Sequence, residues 1–304
     1  MQFNFLTVSS PLSLVIFLIL AMVNSARSFT RPGVEGAVKL VELVDSSDLD
    51  HARKVWRDVE SKYPEMIAEK GGKKLKQLED FCQDLSSEFR EKIENIGSSN
   101  DFYISQEQLL KIVEWKFAKG KPRYALMKHL TANTESAIKD CSSRAFSITS
   151  DKEKDSELII KESIDTLCEL KGVGPATASA ILCLLRPDLF SFMDDEVIES
   201  LYDKKRGYTF AIYRQVNQRC TELATILLDD DYWNPWRVGR ALWTASKLYA
   251  ANDEHFLTLL MIDQQNAKTS KKTSRSKDNE KIKKATTQEK NEQNANPRRK
   301  RRKR

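Results

Sequence analysis

The sequence predicts an all-α fold over residues 31–263, followed by a disordered basic tail over 264–304. Apolar residues recur at helical spacing along most of the body, and no stretch alternates with period two. From Gln264 onward Lys, Asn, Thr, Ser and Glu dominate, a composition that cannot bury enough apolar surface to fold. Between an apolar leader and this tail, about 230 residues suffice for one large domain or two small helical lobes around a cleft.

The elements follow in order. Val55, Trp56, Val59, Tyr63, Met66 and Ile67 keep helical spacing over Val55–Glu69, and Leu75, Leu78, Phe81, Cys82, Leu85, Phe89 and Ile93 continue it in a long amphipathic helix. Gly97-Ser98-Ser99-Asn100 breaks the chain. Ser105 with Gln108 forms a capping box ahead of Leu109, Ile112, Val113 and Phe117, and Gly120-Lys121-Pro122 ends that helix. Further helices are expected at Ala125–Leu130, Glu135–Phe146, Ser163–Leu170, Ala176–Leu185, Glu196–Tyr202, Tyr213–Leu228 and Arg237–Leu260, with a polar connection over Asp151–Glu157. Trp233, Trp236 and Trp243 crowd one stretch and are assigned to the core.

The charge is divided sharply. The 304 residues carry 50 Lys+Arg and 44 Asp+Glu, a net of +6. The tail alone holds 16 basic and 4 acidic residues, so the body is left at −6. Such asymmetry directs a polyanionic partner to the tail and excludes a uniformly cationic body. Five widely spaced Cys without a C-x-x-C, and three His far apart, give neither a disulfide framework nor a metal-ligand spacing. No metal or cofactor is expected, and Cys168 and Cys183 read as reduced, buried thiols.

The two ends carry conflicting addresses. Within an apolar leader over residues 1–26, Pro11–Val23 is a run of 13, the length of a signal-peptide core, yet it lacks a basic residue before it. Arg298, Arg299, Lys300, Arg301, Arg302, Lys303 and Arg304 resemble a nuclear localisation signal read by an import receptor. No N-x-[S/T] sequon occurs, and the Cys count is odd. The nucleus is the favoured location; a secretory or membrane-anchored chain is the alternative if the leader is real.

Chemistry concentrates in Leu167–Leu201, with the helix-turn-helix spanning 162–186. Gly172-Val173-Gly174 joins two apolar helices by a turn that only glycine fits, and Pro175 suits the first turn of the second helix. Amide groups left free at such a turn make a site for a phosphate oxygen, with Gly172, Val173, Gly174, Pro175 and Thr177 as contacts. An ordinary αα-turn uses glycines of the same kind for packing alone. Lys116, Lys119, Lys121 and Arg123 form a basic knuckle around a Gly-Pro turn and are candidate phosphate contacts. Lys204-Lys205-Arg206-Gly207 is a second basic loop.

The pattern L-x-G-V-G-x-x-T-A, an apolar helix and then Met193-Asp194 resembles the HhH-GPD superfamily of DNA glycosylases over about 35 residues. The stretch EWKFAKGKPR is similar to that superfamily's Amun-like branch. The resemblance implies two helical lobes around a cleft, binding to double-stranded DNA as a monomer, and a catalytic aspartate, Asp194, with Asp195 the neighbouring alternative. Ala176 stands where bifunctional members carry their nucleophilic lysine, which excludes a β-lyase step through that position. The four Cys of the iron–sulfur branch are missing, so no cluster is implied, and that branch's His two residues beyond the aspartate is Glu196. What the resemblance implies is monofunctional chemistry: Asp194 stabilises an oxocarbenium-like sugar and activates water against a flipped nucleotide. A catalytically silent relative that binds DNA or chromatin as a regulatory scaffold is the alternative.

Overall fold

A computed structural model describes residues 29–45, 48–95, 102–151, 153–202, 206–227 and 232–261. The leader with its Pro11–Val23 run, the turn at Gly97–Asn100, Lys204 and Lys205, and the whole tail with Arg298–Arg304 lie outside them. Among the described residues all regular structure is helical.

The helices are α1 (Val34–Val44), α2 (Leu49–Ser61), α3 (Tyr63–Asn95), α4 (Gln106–Lys119), α5 (Ala125–Leu130), α6 (Glu135–Thr149), α7 (Ser156–Leu167), α8 (Pro175–Leu185), α9 (Asp195–Leu201), α10 (Phe210–Ile226) and α11 (Pro235–Ala250). A last helical segment covers 254–261. They pack as two groups. α11 lies against α1, α2, α9 and α10, which brings the two ends of the described chain together. α6 packs on α7, and α8 is held by α7, α4 and α3. The long α3 touches both groups through α11, α4 and α8. Trp56, Trp115, Trp243, Tyr63, Tyr213, Phe89 and Phe190 fill the contiguous core, and Trp233 and Trp236 are buried with them.

Local chemistry explains the clearest boundaries. Ser105 Oγ accepts from the Gln108 amide at 3.1 Å while Gln108 Oε1 accepts from the Ser105 amide at 2.9 Å, so the capping box forms in full. Gly120 ends α4 as the spacing predicts.

Other boundaries differ. The periodic run over 55–69 is two helices, because Pro64 cannot donate to the turn before it and the chain restarts after Lys62. Within α3, Gly72 has non-helical φ 60° and ψ −163°. The connection ahead of α7 is shorter than expected, since Asp155 accepts from the Glu157 amide and starts the helix at Ser156. The Arg237–Leu260 run breaks after Ala250: Asn252 takes a left-handed φ of 55°, and Asp253 then caps a new turn by accepting from the Phe256 amide. Cys168 is half-buried rather than buried, being the last residue before the turn.

Helix α1 lies ahead of the runs read from periodicity, although Val34, Ala37, Leu40, Val41 and Val44 keep helical spacing around its single glycine. Gly36 is the point of closest approach to α11: a Cβ there would lie 2.4 Å from Tyr249 Cβ and 2.9 Å from the Ala245 carbonyl oxygen. We expect Gly36→Ala to destabilise the protein by about 1–3 kcal/mol through overpacking, measured by denaturant unfolding. An unchanged midpoint would show that α1 does not seat against α11 at this distance.

Candidate functional site

The turn between α7 and α8 is built by three devices. Val173 N–H donates to the Leu170 carbonyl at 3.1 Å, closing the turn on itself. Asn133, after α5, clasps it from outside: its Oδ1 accepts from Lys171 N–H and its Nδ2 donates to Lys171 O, both at 2.9 Å. Gly172 adopts φ 80°, and a Cβ there would meet His129 Cβ at 3.1 Å and Leu130 Cγ at 3.2 Å. Gly172 is thus required by both conformation and packing.

Gly174 is different. Its φ of −122° is open to any residue, and a Cβ would meet nothing within 4 Å. It stands at the N-cap of α8 with no side chain to cap the helix, and Pro175 follows at N1. Its carbonyl accepts from Thr177 and Ala178, while the amides of Gly172, Gly174 and Ala176 find no acceptor among the described residues. Gly172, Gly174 and Ala176 also line a cavity of roughly 260 Å³. The hairpin residues Gly172–Thr177 form one wall, Lys116, Phe117, Lys121 and Arg123 a second, and Phe192–Asp195 with Tyr208 a third.

Asp194 lines this cavity beside the hairpin, as the expected site residue, but its carboxylate is mostly turned inward. The residue is 4% exposed and caps α9 by accepting from Asp195 N–H at 2.7 Å. Its Oδ2 lies 3.4 Å from Lys119 Nζ. Burial by itself would raise the Asp194 pKa; the Lys119 ammonium, with a hydrogen bond from Glu196 and the charge of Lys247, holds it below the ordinary carboxylate value.

This pairing corrects the reading of Lys119 as a phosphate contact. Its side chain is 2% exposed and points into the core, where the rings of Trp243, Tyr63, Trp115 and Phe192 surround Nζ at 4.8–5.4 Å and the Tyr63 hydroxyl lies at 3.1 Å. The Tyr63 hydroxyl and Trp115 Nε1 in turn donate to buried Glu79 at 2.9 and 2.7 Å. An ammonium enclosed in this way cannot reach an external phosphate. Lys116, Lys121 and Arg123 do face the cavity, and Arg123 stacks 4.5 Å from the centre of the Tyr208 ring.

The acidic start of α9 is neutralised from within. Asp195 accepts from Tyr208 at 2.6 Å and pairs with Arg206 at 3.2 Å and Arg31 at 3.5 Å. Glu199 pairs with Arg206 and accepts from the amides of Thr30 and Arg31. Arg206, read from sequence as part of a basic loop, is therefore spent on these carboxylates. Glu196 is fully buried and bonded to Lys247. Burial first, and Asp194 next, raise its pKa to about 7. Among the described residues Asp194 Oδ2 and Glu196 Oε2 have no other hydrogen-bond partner, and the proton that burial keeps on Glu196 helps hold Asp194 below its ordinary value.

Sequence reasoning missed two basic residues on this face. Lys128 and Lys171 are exposed and, like Lys121 and Arg123, form no ion pair with a described residue. Lys171 adjoins the turn through the Asn133 clasp, a tertiary contact with no local signal in the sequence. Tyr124, beside Arg123, is 77% exposed. Among the described residues no group of His, Cys, Asp and Glu is placed to hold a metal ion, and no helix is long and apolar enough to cross a membrane.

Comparison with known proteins bears on the hairpin. Residues 156–184 match the helix-hairpin-helix motif. The match spans α7, the turn and α8, ends before Asp194, and marks this segment as a nucleic-acid-binding element. No curated protein and no solved structure matches the chain.

The buried carboxyl pair has a measurable consequence. Unfolded Glu196 ionises near its ordinary 4.5, whereas folded Glu196 keeps its proton to about 7. The folded state therefore binds the extra proton in this window, and the site's contribution to stability falls as pH rises from 4.5 to 7, by about 3 kcal/mol. Glu196→Gln, which carries a permanent donor, should flatten that slope in thermal unfolding measured across pH 5–8. An identical slope in the variant would remove Glu196 from the account.

Proposed function

We propose that this protein is a monofunctional DNA glycosylase that docks duplex DNA on the α7–α8 hairpin and hydrolyses the N-glycosidic bond of a flipped nucleotide at Asp194. The observation that carries the reading is the sharing of one cavity by the open hairpin amides and the Asp194 edge. A phosphate held by the amides of Gly172, Gly174 and Ala176 fixes the strand against the mouth of that cavity. Lys121 and Arg123 on the cavity wall and Lys171 in the turn supply positive charge that forms no ion pair with a described residue. The volume, near the small end of ligand sites at about 300 Å³, suits a single base more than an extended ligand.

In this reading the C1′–N bond breaks with its electron pair leaving on the base, and the sugar develops oxocarbenium character. Asp194, kept ionised by Lys119, stabilises that charge and takes the proton of the water that adds to C1′. The basic tail attracts DNA without specificity and carries the nuclear address, so the reading places the protein in the nucleus.

A second reading is favoured by one observation: Lys119 already satisfies the Asp194 charge internally, which suits a DNA- or chromatin-binding scaffold without chemistry. Base release separates the two. Asn retains the capping acceptor of α9 but leaves the buried Lys119 without its ionic partner, so Asp194→Asn should lose about 3–5 kcal/mol of stability; in the fraction shown to be folded by circular dichroism it should bind duplex within about threefold and lose base release by about 10²–10⁴-fold on a panel of lesion-bearing duplexes. Undiminished excision by the variant would sink the catalytic assignment, and a wild type that binds DNA yet releases no base would leave the scaffold.

The two glycines separate docking from folding. Gly172→Ala should cost about 1–2 kcal/mol of stability for its left-handed φ. Gly174→Val should cost no more than about 1 kcal/mol, the loss of a favoured N-cap residue, because a Cβ there meets nothing within 4 Å and its φ is accessible. The valine would nonetheless block the open amides and weaken duplex binding in a fluorescence titration. Equal binding by Gly174→Val would reduce the turn to a packing element.

A further inference from the structure

A second cavity stands at the other end of α8 from the hairpin. Its wall includes Pro187, two residues beyond α8, so about 17 Å of helix separates it from Gly174. It measures roughly 210 Å³. Arg90 from α3 and Arg237 and Arg240 from α11 line it together with Trp236, Ser87 and Asn234, and no described residue that lines it is acidic. Guanidinium groups gathered on one small wall repel one another unless a negative charge completes the arrangement.

Internal contacts answer only part of that charge. Arg240 lies 3.1 Å from Glu60 and stacks 4.2 Å from the centre of the Tyr63 ring. Arg237 donates to the Tyr232 carbonyl at 2.9 Å and stacks 4.0 Å from the centre of that residue's ring. Arg90 is exposed and donates to Ser87 Oγ at 3.3 Å. Neither Arg90 nor Arg237 forms an ion pair with a described residue. Two further donors on these residues, Arg240 Nε and Trp236 Nε1, are buried with no acceptor among the described residues, and Trp236 is only 7% exposed. A donor buried in this way has given up its water and taken no partner in exchange.

We propose that this cavity binds a phosphate monoester, the dianionic head of a small molecule or of a nucleic-acid strand end. Three guanidiniums, less the carboxylate of Glu60, leave two positive charges, and a phosphate monoester near neutral pH carries close to two negative ones. A backbone phosphodiester carries one and would leave a cation unanswered. Planar guanidinium forks match phosphate oxygens in pairs, which a single ammonium does not. Tyr232, Glu60 and Tyr63 already fix Arg237 and Arg240, so little side-chain freedom is lost on binding, and exposed Arg90 is the arm that closes over the ligand. The cavity falls below the roughly 300 Å³ at which ordinary ligand sites begin, which suits a phosphate head more than a whole nucleotide. Nothing in this assignment draws on the hairpin or on base release.

The test uses the isotope-labelled full chain and follows the indole N–H signals by nuclear magnetic resonance, with that of Trp236 identified by its disappearance in Trp236→Phe. Methyl phosphate at constant ionic strength should shift the Trp236 signal to saturation, and dimethyl phosphate should bind at least about tenfold more weakly. Arg90→Gln changes an exposed side chain, so the variant should keep the wild-type thermal midpoint and bind methyl phosphate about tenfold more weakly. Competition then names the source. Displacement by a short duplex bearing a 5′-phosphate, but not by the same duplex without it, identifies a strand end; displacement by neither identifies a small phosphorylated molecule. A Trp236 signal unmoved at about 10 mM methyl phosphate, where a Kd of about 1 mM would be near saturation, overturns the proposal. So does equal affinity in Arg90→Gln, equal affinity for dimethyl phosphate, or displacement by the duplex that lacks a terminal phosphate.

Discussion

The buried pair between Lys119 and Asp194 is the interaction on which the rest depends. It joins the end of α4 to the start of α9, behind the cavity wall that Asp194 contributes. Two ions withdrawn from water at this depth are a liability if either is lost, since removing one partner of a buried pair costs about 3–5 kcal/mol. Four aromatic rings drawn from α3, α4, α11 and the segment before α9 surround the ammonium, so the pair also ties both helical groups together. The same ammonium keeps Asp194 ionised where burial would neutralise it. Structure and the proposed chemistry thus share one contact.

Around that contact the protein turns its acidity inward. The carboxylates of α9 would repel a polyanion if they were free, and a body of net charge −6 makes this a real obstacle. Arg31, Arg206 and Lys247 neutralise them from behind, and the backbone of Thr30 and Arg31 is fastened to Glu199 in the same arrangement. The segment preceding α1 is consequently part of the site's support. On the outer side Lys121, Arg123 and Lys171, at the cavity wall and the hairpin, form no ion pair with a described residue. The formal charge of the body says little about the potential that DNA would meet here; the pairing pattern decides it.

The hairpin divides its two glycines between two tasks. Gly172 serves the fold, through a left-handed φ and contact with α5. Gly174 serves nothing inside the molecule, because its backbone is ordinary and its missing Cβ faces open space. A bare backbone at an uncapped helix start is what an external phosphate needs, and this agrees with the helix-hairpin-helix match over 156–184.

Sequence by itself determined the helical class, the capping box at Ser105, the break at Gly120, the Trp-rich core stretch and the Gly-Val-Gly-Pro hairpin. Each of these rests on spacing or on a residue's own backbone preference, and both are local. The same local view joined α2 to α3 across Pro64, ran α11 past Asn252 and passed over α1, where tertiary contact with α11 accounts for the glycine. Only the tertiary structure decided the site. Lys116 and Lys119 sit three residues apart on one helix and look alike in sequence, yet one lines a cavity with no ion pair to a described residue while the other is enclosed by rings and paired to Asp194. No local rule separates them, because the groups that do so arrive from helices distant in the chain, and burial and charge pairing are properties of that arrangement.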